Sequence, residues 1–513
     1  MFLVIAAALA AFGLTSLGSF HFDDYALLTD PAVASSSGAW EVWRFAQTRP
    51  LTYFTFWANY QLGGADPLGY HLVNLAVHLS ASALLLITLP KLIGSRVALT
   101  AALLFAIHPI QTEAVAYVFA RATLLSALLC VLTLWLWLED RRWLAVAAFA
   151  LALLAKEECA AFPLFLLFLS STSRGASFSL RRASARPIEA EGLDFRKLAA
   201  PLSLMLLLAL SAVLRVAFIT RQVHGSGAGS GSTVTPLQYA SVQGYAILRY
   251  LAMLIVPWGY TIDPDLHPPM WLRVLAWTIL LAIVAFAARC IGVDRPSLWL
   301  LSGLILLIPT STIFPADDLA ADRRMYLPMI AFSVCAAMLL KRWRPAAIAA
   351  VFAILAVVSV RYSLTWKTEA SLWTEAIRRS PAKIRPRIQL SRAVPAVDAL
   401  AVLEQARSIA PGHPGLASEE ARVYLELGRP AEALAAFGRA LAASPGEPLA
   451  INNRGVALAA LGQADAARLD FERALAINPC LFDARLNLKR LGGSPPAARC
   501  RFTPLQETQL AAP

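Results

Sequence analysis

The chain has 513 residues, of which 58% are hydrophobic and only 15% charged, and it carries a formal net charge of +12. A water-soluble protein of this size cannot hide so much apolar surface, whereas a bilayer accepts apolar side chains on every face of a helix. The basic residues cluster in short loops between apolar runs and form no basic-aromatic stripe, which argues against a nucleic-acid partner.

Apolar runs long enough to cross a bilayer, or nearly so, predict an all-α polytopic membrane domain with about eleven spans. The first run lacks the basic residues and the cleavage site typical of a signal peptide, so we expect it to be retained as a span. The runs lie at about 1–19, 70–90, 97–113, 121–138, 143–155, 158–171, 198–219, 271–290, 297–314, 325–340 and 345–362.

The basic loops predict the orientation of these spans, because short loops rich in lysine and arginine stay in the cytoplasm. A further apolar run, 238–257, would move the last two basic loops outside if it crossed. We therefore predict that 238–257 is re-entrant or lies along the interface, with the N-terminus inside and the C-terminus outside. The basic loops are Lys91 to Arg96, Arg141–Arg142, Arg174 to Lys197, Arg289 to Arg295 and Lys341 to Arg344. Most of the third belongs to a flexible loop predicted at 172–197, and a Gly/Ser linker is predicted at 221–235.

The C-terminal part has a 34-residue period. Such a period, with glycine between two helices and proline closing each unit, is the tetratricopeptide repeat (TPR) signature. It predicts a TPR α-solenoid at 366–491, after a membrane domain at 1–365 and before a disordered tail at 492–513. The spaced residues are Pro411, Pro445 and Pro479, and Gly428 and Gly462.

Two cysteines, Cys480 and Cys500, lie in this C-terminal part. They can form a disulfide only if the compartment is oxidising. The other four cysteines lie in apolar runs and read as inert core thiols.

Polar clusters on the side away from the basic loops predict a functional site, because ionisable residues at membrane depth are costly. Asp23 and Asp24 follow the first span. Transfer of a sugar to a hydroxyl needs a base for the acceptor proton, and one of these two acids fits that role. Spacing does not separate them, although Asp24 is slightly favoured. The departing phosphate needs cations, for which the candidates are Arg121, Lys156, Arg323 and Arg324.

Other polar residues have structural alternatives. His108 could end a helix, and Glu113 could cap the next one. Lys156 and Glu157 could form a salt-bridged turn, and Arg49 is expected to be structural. His71 and His78 lie on one helix face and fit satisfied core histidines. No spacing resembles a closed metal site, so we expect neither a metal nor a cofactor.

Several motifs together resemble the family of transmembrane-and-TPR-containing O-mannosyltransferases and its bacterial relatives. They occur in the family's order across about 1–365, and TPRs follow. The resemblance implies the multi-spanning GT-C glycosyltransferase fold, a polyprenyl-phosphate sugar donor and an acceptor outside the cytoplasm. It also implies site roles for Asp23-Asp24, for Arg323-Arg324 before Tyr326, and for His108, Glu113 and Lys156-Glu157. At 322 this chain has aspartate where the family usually has glutamate. The motifs are FDDYALLTDP, RPLTYFTFWANY with GYHLVNLAVH, LLFAIHPIQTEAVAYVFARATLLSALL, Lys156-Glu157 and ADRRMYLP.

The expected function is therefore transfer of a mannose-like hexose from a polyprenyl-phosphate donor to a hydroxyl of a protein or glycan docked by the TPRs. An O-antigen ligase or polymerase carrying TPRs is an alternative enzyme, and a TPR assembly scaffold or a transporter is an alternative from another class. Alanine and arginine dominate and lysine is scarce, which indicates a high-GC bacterium. The expected location is then the inner membrane, with the TPRs in the periplasm and undecaprenyl phosphate as the lipid.

Overall fold

The structure is a computed structural model. It describes residues 1–45, 47–172, 195–222, 232, 234–291, 295–311, 315–500, 502 and 504–511. Most of the predicted flexible loop at 172–197 and of the Gly/Ser linker at 221–235 lies outside these ranges.

The described chain divides into two compact units, and the first comprises residues 1–25 and 39–368. This unit is all helical over its described residues, so the predicted fold class is confirmed. Its longer helices are Phe2–Phe12, Pro50–Gly63, Pro67–Thr88, Ser95–Ile107, Arg121–Leu138, Arg142–Ala155, Phe162–Thr172, Phe195–Gln222, Pro236–Ile255, Met270–Cys290, Arg295–Leu307, Met329–Leu340 and Pro345–Thr365. Short helices and turns are Asp23–Thr29, Gly38–Glu41, Thr112–Ala116 and the 3-10 turns Gly13–Leu17, Leu89–Lys91, Pro109–Gln111, Val118–Ala120, Glu157–Ala161, Ile308–Thr310 and Asp322–Met325.

Five helical segments of the described chain are long and apolar enough to cross a membrane, which makes this a multi-pass membrane protein. A sixth span arises if Ser95–Ile107 and Pro109–Ala116, bent by 47°, are one span. The bend follows from His108-Pro109, because proline disfavours helical backbone in the residue before it. Pro236–Ile255 is not among the candidate spans. The predicted count of about eleven stays a prediction. The five segments are Pro67–Lys91, Val118–Leu138, Leu198–Arg221, Met270–Cys290 and Pro345–Thr365.

The helix Ser95–Ile107 lies at the centre of the first unit. Eight of its residues are buried, including four alanines. It packs against Phe2–Phe12, Pro67–Thr88 and Met329–Leu340. Small side chains allow this close approach of helices in a membrane. The C-terminal end of this central helix leads directly into the polar residues from His108 onward.

The second unit comprises residues 26–38 and 369–513, so the first loop contributes a segment to it. Helix pairs follow one another as a TPR array requires. Gly428 and Gly462, predicted from the 34-residue period, have φ of 67° and 79° between the two helices of their repeats. The helices are Pro31–Ala34, Glu369–Arg379, Arg385–Ala393, Ala396–Ile409, Pro414–Glu426, Pro430–Ala443, Pro448–Ala460, Ala464–Ile477, Phe482–Arg490 and Pro504–Ala511.

The tail at 492–513, predicted as disordered, makes contacts in its described part. Cys480 and Cys500 form a disulfide. The ring of Phe482 contacts that of Phe502 at 5.9 Å between centroids. The helix Pro504–Ala511 then packs against the helix Phe482–Arg490. A covalent link and an aromatic contact hold a segment whose composition alone indicates no structure.

Candidate functional site

The two first-loop carboxylates have different environments. Asp24 is completely buried. Its Oδ2 accepts the backbone N–H of His21 at 2.9 Å, and its Oδ1 accepts that of Phe119 at 2.7 Å. Burial raises the pKa of Asp24 well above its usual range, against the effect of these two bonds. Asp23 is exposed, and its Oδ2 accepts the hydroxyl of Tyr117 at 2.9 Å. Asp24 therefore fastens the loop, whereas Asp23 is accessible for chemistry.

Strained backbone precedes the pair. Phe22 has a φ of 45°, a left-handed conformation that costs a non-glycine residue roughly 1–2 kcal/mol. The ring of Phe22 packs edge-on against Tyr117, with 5.7 Å between centroids. On its other side His21 is buried, and its Nε2 donates to the carbonyl of Trp366 at 2.8 Å. Burial lowers the pKa of His21 to about 4. The loop is thus held from both sides around the carboxylates.

Glu113 and Arg323 form an ion pair across 210 residues of chain. Glu113 is fully buried. Its Oε1 pairs with Nη1 of Arg323, and its Oε2 accepts the backbone N–H of Arg323 at 3.1 Å. A second carboxylate, Asp318, lies 3.4 Å from Nη2. Burial by itself lowers the pKa of Arg323. The negative charges of Glu113 and Asp318 have the larger effect, and the pKa of Arg323 is raised. This arginine is therefore permanently charged and fixed in position.

Tyr117 connects the acid of the first loop to the late arginine. Its hydroxyl contacts Asp23, and the guanidinium carbon of Arg323 lies 5.9 Å from its ring centroid. Tyr117 is only 3% exposed. The structure thus brings together the first-loop acid and the cation that the sequence predicted to meet. Sequence reasoning missed Tyr117 itself, although it lies within the motif LLFAIHPIQTEAVAYVFARATLLSALL.

A small pocket lies beside this cluster. The predicted residue Arg324 lines it, and the predicted residue Lys156 contacts two of its lining residues, Glu158 and Thr123. Nζ of Lys156 pairs with Glu158 at 2.6 Å and donates to the hydroxyl of Thr123 at 2.7 Å. Burial lowers the pKa of Lys156 to about 8. Arg324 donates to Tyr239 at 2.9 Å and to backbone carbonyls. No carboxylate of the described residues lies within ion-pairing distance of Arg324. The pocket is lined by Thr123, Ser126, Glu158, Leu306, Thr310, Arg324, Leu327 and Pro328.

Since Lys156 and Glu158 neutralise each other, the guanidinium of Arg324 gives the pocket a net positive charge. Three hydroxyl groups, from Thr123, Ser126 and Thr310, add hydrogen-bond donors. An arginine with hydroxyl neighbours is an arrangement that recognises phosphate. Leucine and proline side chains complete the wall. The chemistry of the lining fits a phosphate attached to an apolar group.

Asp322, whose role the sequence left open, is a structural anchor. It is fully buried and its Oδ1 lies 3.1 Å from Nη1 of Arg249. Burial raises the pKa of Asp322 to about 6, although Arg249 opposes the shift. The preceding residue, Ala321, makes two hydrogen bonds with the hydroxyl of Tyr250. Its backbone N–H donates to that oxygen, and its carbonyl accepts from that hydroxyl. These contacts tie the turn Asp322–Met325 to the helix Pro236–Ile255, so both arginines project from a fixed backbone.

Arg121, another phosphate candidate, is held by neighbouring residues. Its guanidinium is fully buried and donates to Asn74 at 2.8 Å, to Asn59 at 2.6 Å and to the carbonyl of Tyr70 at 3.0 Å. It also stacks over Phe56 at 4.5 Å from the ring centroid. These contacts tie the helix Arg121–Leu138 to two neighbours. These contacts match a structural role for Arg121, and its phosphate-binding role stays a prediction.

Three more predicted residues have structural partners. Glu157 makes two hydrogen bonds to Arg49, at 2.7 and 3.2 Å. His108 ends the helix Ser95–Ile107, and its Nδ1 accepts the N–H of Ile110 at 3.2 Å. Tyr326 is fully buried. Nε2 of His78 faces the carbonyl of Ala106 and must donate to it, so Nδ1 of His78 is an acceptor. The hydroxyl of Tyr326 donates to this Nδ1 at 2.8 Å. These contacts match the structural alternatives for Glu157 and His108, and they place Tyr326 in the core.

The described residues contain no group of three or more histidine, cysteine, aspartate or glutamate side chains arranged to hold a metal ion.

Comparison with known proteins identifies relatives for both parts of the chain. A family model for the tetratricopeptide repeat matches residues 418–479, which confirms the repeats there. Protein O-mannosyl-transferase F38B6.6 of Caenorhabditis elegans is 28% identical over 379 residues, covering 67% of this chain and 50% of that protein. Protein O-mannosyl-transferase Tmtc1 of Drosophila melanogaster is 44% identical over 114 residues, covering 22% and 12%. The chain thus spans half or less of the length of these two relatives.

Among solved structures, ArnT from Cupriavidus metallidurans bound to undecaprenyl phosphate aligns with a TM-score of 0.43 at 15% identity, covering 92% of this chain and 79% of that one. The chain resembles the protein O-mannosyl-transferases of the transmembrane-and-TPR-containing family, and the resemblance predicted from its motifs is confirmed.

Proposed function

We propose that this chain is a membrane glycosyltransferase that moves a hexose from a polyprenyl-phosphate donor to a hydroxyl group on the outer face of a bacterial inner membrane. The observation that carries the proposal is the cluster of Asp23, Tyr117, Arg323 and Glu113, which joins an accessible carboxylate to a fixed cation. The relatives are named for O-mannosyl transfer, so mannose is the sugar to test first and a serine or threonine hydroxyl the acceptor.

Asp23 is the proposed base. An oxygen of its carboxylate takes the proton of the acceptor hydroxyl while the hydroxyl oxygen attacks the anomeric carbon of the sugar. The bond between the anomeric carbon and the phosphate oxygen breaks, and polyprenyl phosphate leaves with the bonding electrons. Asp24 is proposed to hold the loop rather than to react, because both of its oxygens already accept backbone N–H groups.

Arg323 and Arg324 are proposed to stabilise the charge that develops on the leaving phosphate. They are adjacent in one short turn whose backbone is anchored by Asp322. Arg324 faces the pocket with the hydroxyl groups, and Lys156 lies beside Thr123 at its edge. The apolar part of the lining fits the beginning of a polyprenyl chain.

The orientation of the site is proposed from where the helices begin and end. Ser95–Ile107 begins beside a basic loop and ends at His108, and Arg142–Ala155 begins beside another and ends at Lys156. Lys91 precedes the first of these helices and Glu139 precedes the second, and their side chains form a salt bridge. The basic loops are thus at the helix ends opposite the site, which supports a site outside the cytoplasm by the positive-inside rule. The disulfide of the second unit fits an oxidising compartment as well.

The repeats of the second unit are proposed to bind the acceptor. TPR arrays present an extended surface formed by stacked helices. A protein acceptor bound there stays close to the enzyme between transfers, which raises its effective concentration.

The test is transfer of radiolabelled mannose from polyprenyl-phosphate mannose to a serine- and threonine-containing peptide by the purified full-length chain. Asp23→Asn should lower the rate by about 100-fold or more, the usual contribution of a catalytic base. Asp66→Asn is the matched control. Asp66 caps the helix Pro67–Thr88 by accepting the N–H of Leu68, and asparagine caps as well as aspartate does. A folded Asp23→Asn variant with undiminished transfer would refute Asp23 as the base. A folded wild-type chain that transfers no sugar from the donor would refute the enzyme proposal and favour a TPR scaffold.

A further inference from the structure

Tyr117 contacts both chemical halves of the proposed site, the acid and the arginine. Its hydroxyl donates to Oδ2 of Asp23 at 2.9 Å. Its ring lies 5.9 Å from the guanidinium carbon of Arg323 and packs on Phe22 and on Trp366, at 5.7 and 6.0 Å between centroids. With 3% exposure, the ring is held on several sides.

The two oxygens of Asp23 are consequently not equivalent. Oδ2 is occupied by the Tyr117 hydroxyl, whereas no residue in the described part of the chain hydrogen-bonds Oδ1. A carboxylate that rotates freely presents either oxygen, but a hydrogen bond from a rigid phenol to one oxygen fixes the plane of the group. The other oxygen then points away from the protein donor.

We propose that Tyr117 is the positioning residue of the transfer reaction: its hydrogen bond to Oδ2 directs Oδ1 of Asp23 toward the acceptor hydroxyl. This inference rests on the proposed function, and it names a residue on which that function depends. Tyr117 does not touch the reacting atoms and acts only through Asp23.

Tyr117→Phe isolates the hydroxyl, because phenylalanine keeps the ring contacts with Arg323, Phe22 and Trp366. The expected result is a fall in kcat of about 10-fold. KM should change by less than about twofold, because the hydroxyl orients the base and does not contact the substrate. Tyr70→Phe is the matched control. Tyr70 is also buried, and its hydroxyl donates to a neutral carbonyl, that of Gly64, at 3.1 Å. The control should leave both kcat and KM unchanged.

A double variant separates this inference from the proposed function. In an Asp23→Asn background, Tyr117→Phe should lower the residual rate by less than twofold, since the hydroxyl acts through Asp23. If Asp23→Asn alone keeps full activity, the part of the proposed function that makes Asp23 the base fails. If Asp23→Asn is inactive while Tyr117→Phe matches Tyr70→Phe in both kcat and KM, only the positioning role of Tyr117 is overturned. Should Tyr117→Phe unfold, a fluorinated tyrosine at 117, a stronger donor, must change kcat without changing KM, and an unchanged kcat overturns the inference.

Discussion

Replacing Glu113 by glutamine should destabilise the first unit far more than removing an exposed acid. Glu113 is fully buried, and its partner Arg323 has 23% of its side chain exposed. Removing one partner of a buried ion pair usually costs about 3–5 kcal/mol, because the other charge stays buried. Here Asp318 is 3.4 Å from the same guanidinium, and glutamine still accepts the backbone N–H of Arg323. We therefore expect a loss of about 2–4 kcal/mol.

The assay is equilibrium unfolding of the purified chain in mixed micelles, followed by tryptophan fluorescence, together with the rate of sugar transfer. The matched control is Glu139→Gln. Glu139 pairs with Lys91, and the two side chains are 35% and 33% exposed, so its loss should cost at most about 1 kcal/mol. Transfer should fall in Glu113→Gln, because Arg323 loses its fixed position, and stay unchanged in the control. Equal stability of the two variants would refute the reasoning from burial.

Three further predictions concern pH, packing and the disulfide. Because burial lowers the pKa of Lys156 to about 8, its positive charge is present below pH 8 and lost above it; transfer should decline above pH 8, and Lys156→Arg should move the decline to higher pH. A Cβ at Gly455 would lie 2.6 Å from a phenylalanine ring, so Gly455→Ala should cost about 1–3 kcal/mol in thermal unfolding, whereas Gly438→Ala, with no atom within 4 Å of the added Cβ, should stabilise its helix by about 0.5–1 kcal/mol. Cys480→Ser opens a loop of 20 residues and should cost about 3 kcal/mol. Alkylation without reductant should leave both Cys480 and Cys500 of the wild type unmodified.

The helical class and the repeats could be predicted from the sequence because they depend on local patterns. Apolar runs of about 20 residues need a membrane, and Gly428 and Gly462 recur at the period of the TPR. The bend at His108-Pro109 follows from local chemistry too, since proline restricts the residue before it. Such features depend on neighbours in the chain.

The roles of individual site residues could not be predicted because they depend on partners far away in sequence. Arg121 resembles a phosphate ligand by type and position, but Asn59 and Asn74 occupy its donors. Spacing cannot separate Asp23 from Asp24, and only the burial of Asp24 does so. The contacts of the tail have the same explanation, because a cysteine 20 residues earlier restrains it.

The central claim is that the first-loop acid and the late arginines meet on one face of the membrane, opposite the basic loops. Exposed positions beside the site, Tyr25 and Asp317, and one at a basic loop, Arg141, report on it. Each is changed to cysteine in a chain whose free cysteines are replaced, and intact cells are treated with a membrane-impermeant maleimide. We expect labelling at 25 and 317 in intact cells and at 141 only after permeabilisation. Labelling of 25 and 317 from opposite sides would contradict a meeting of the acid and the arginines on one face.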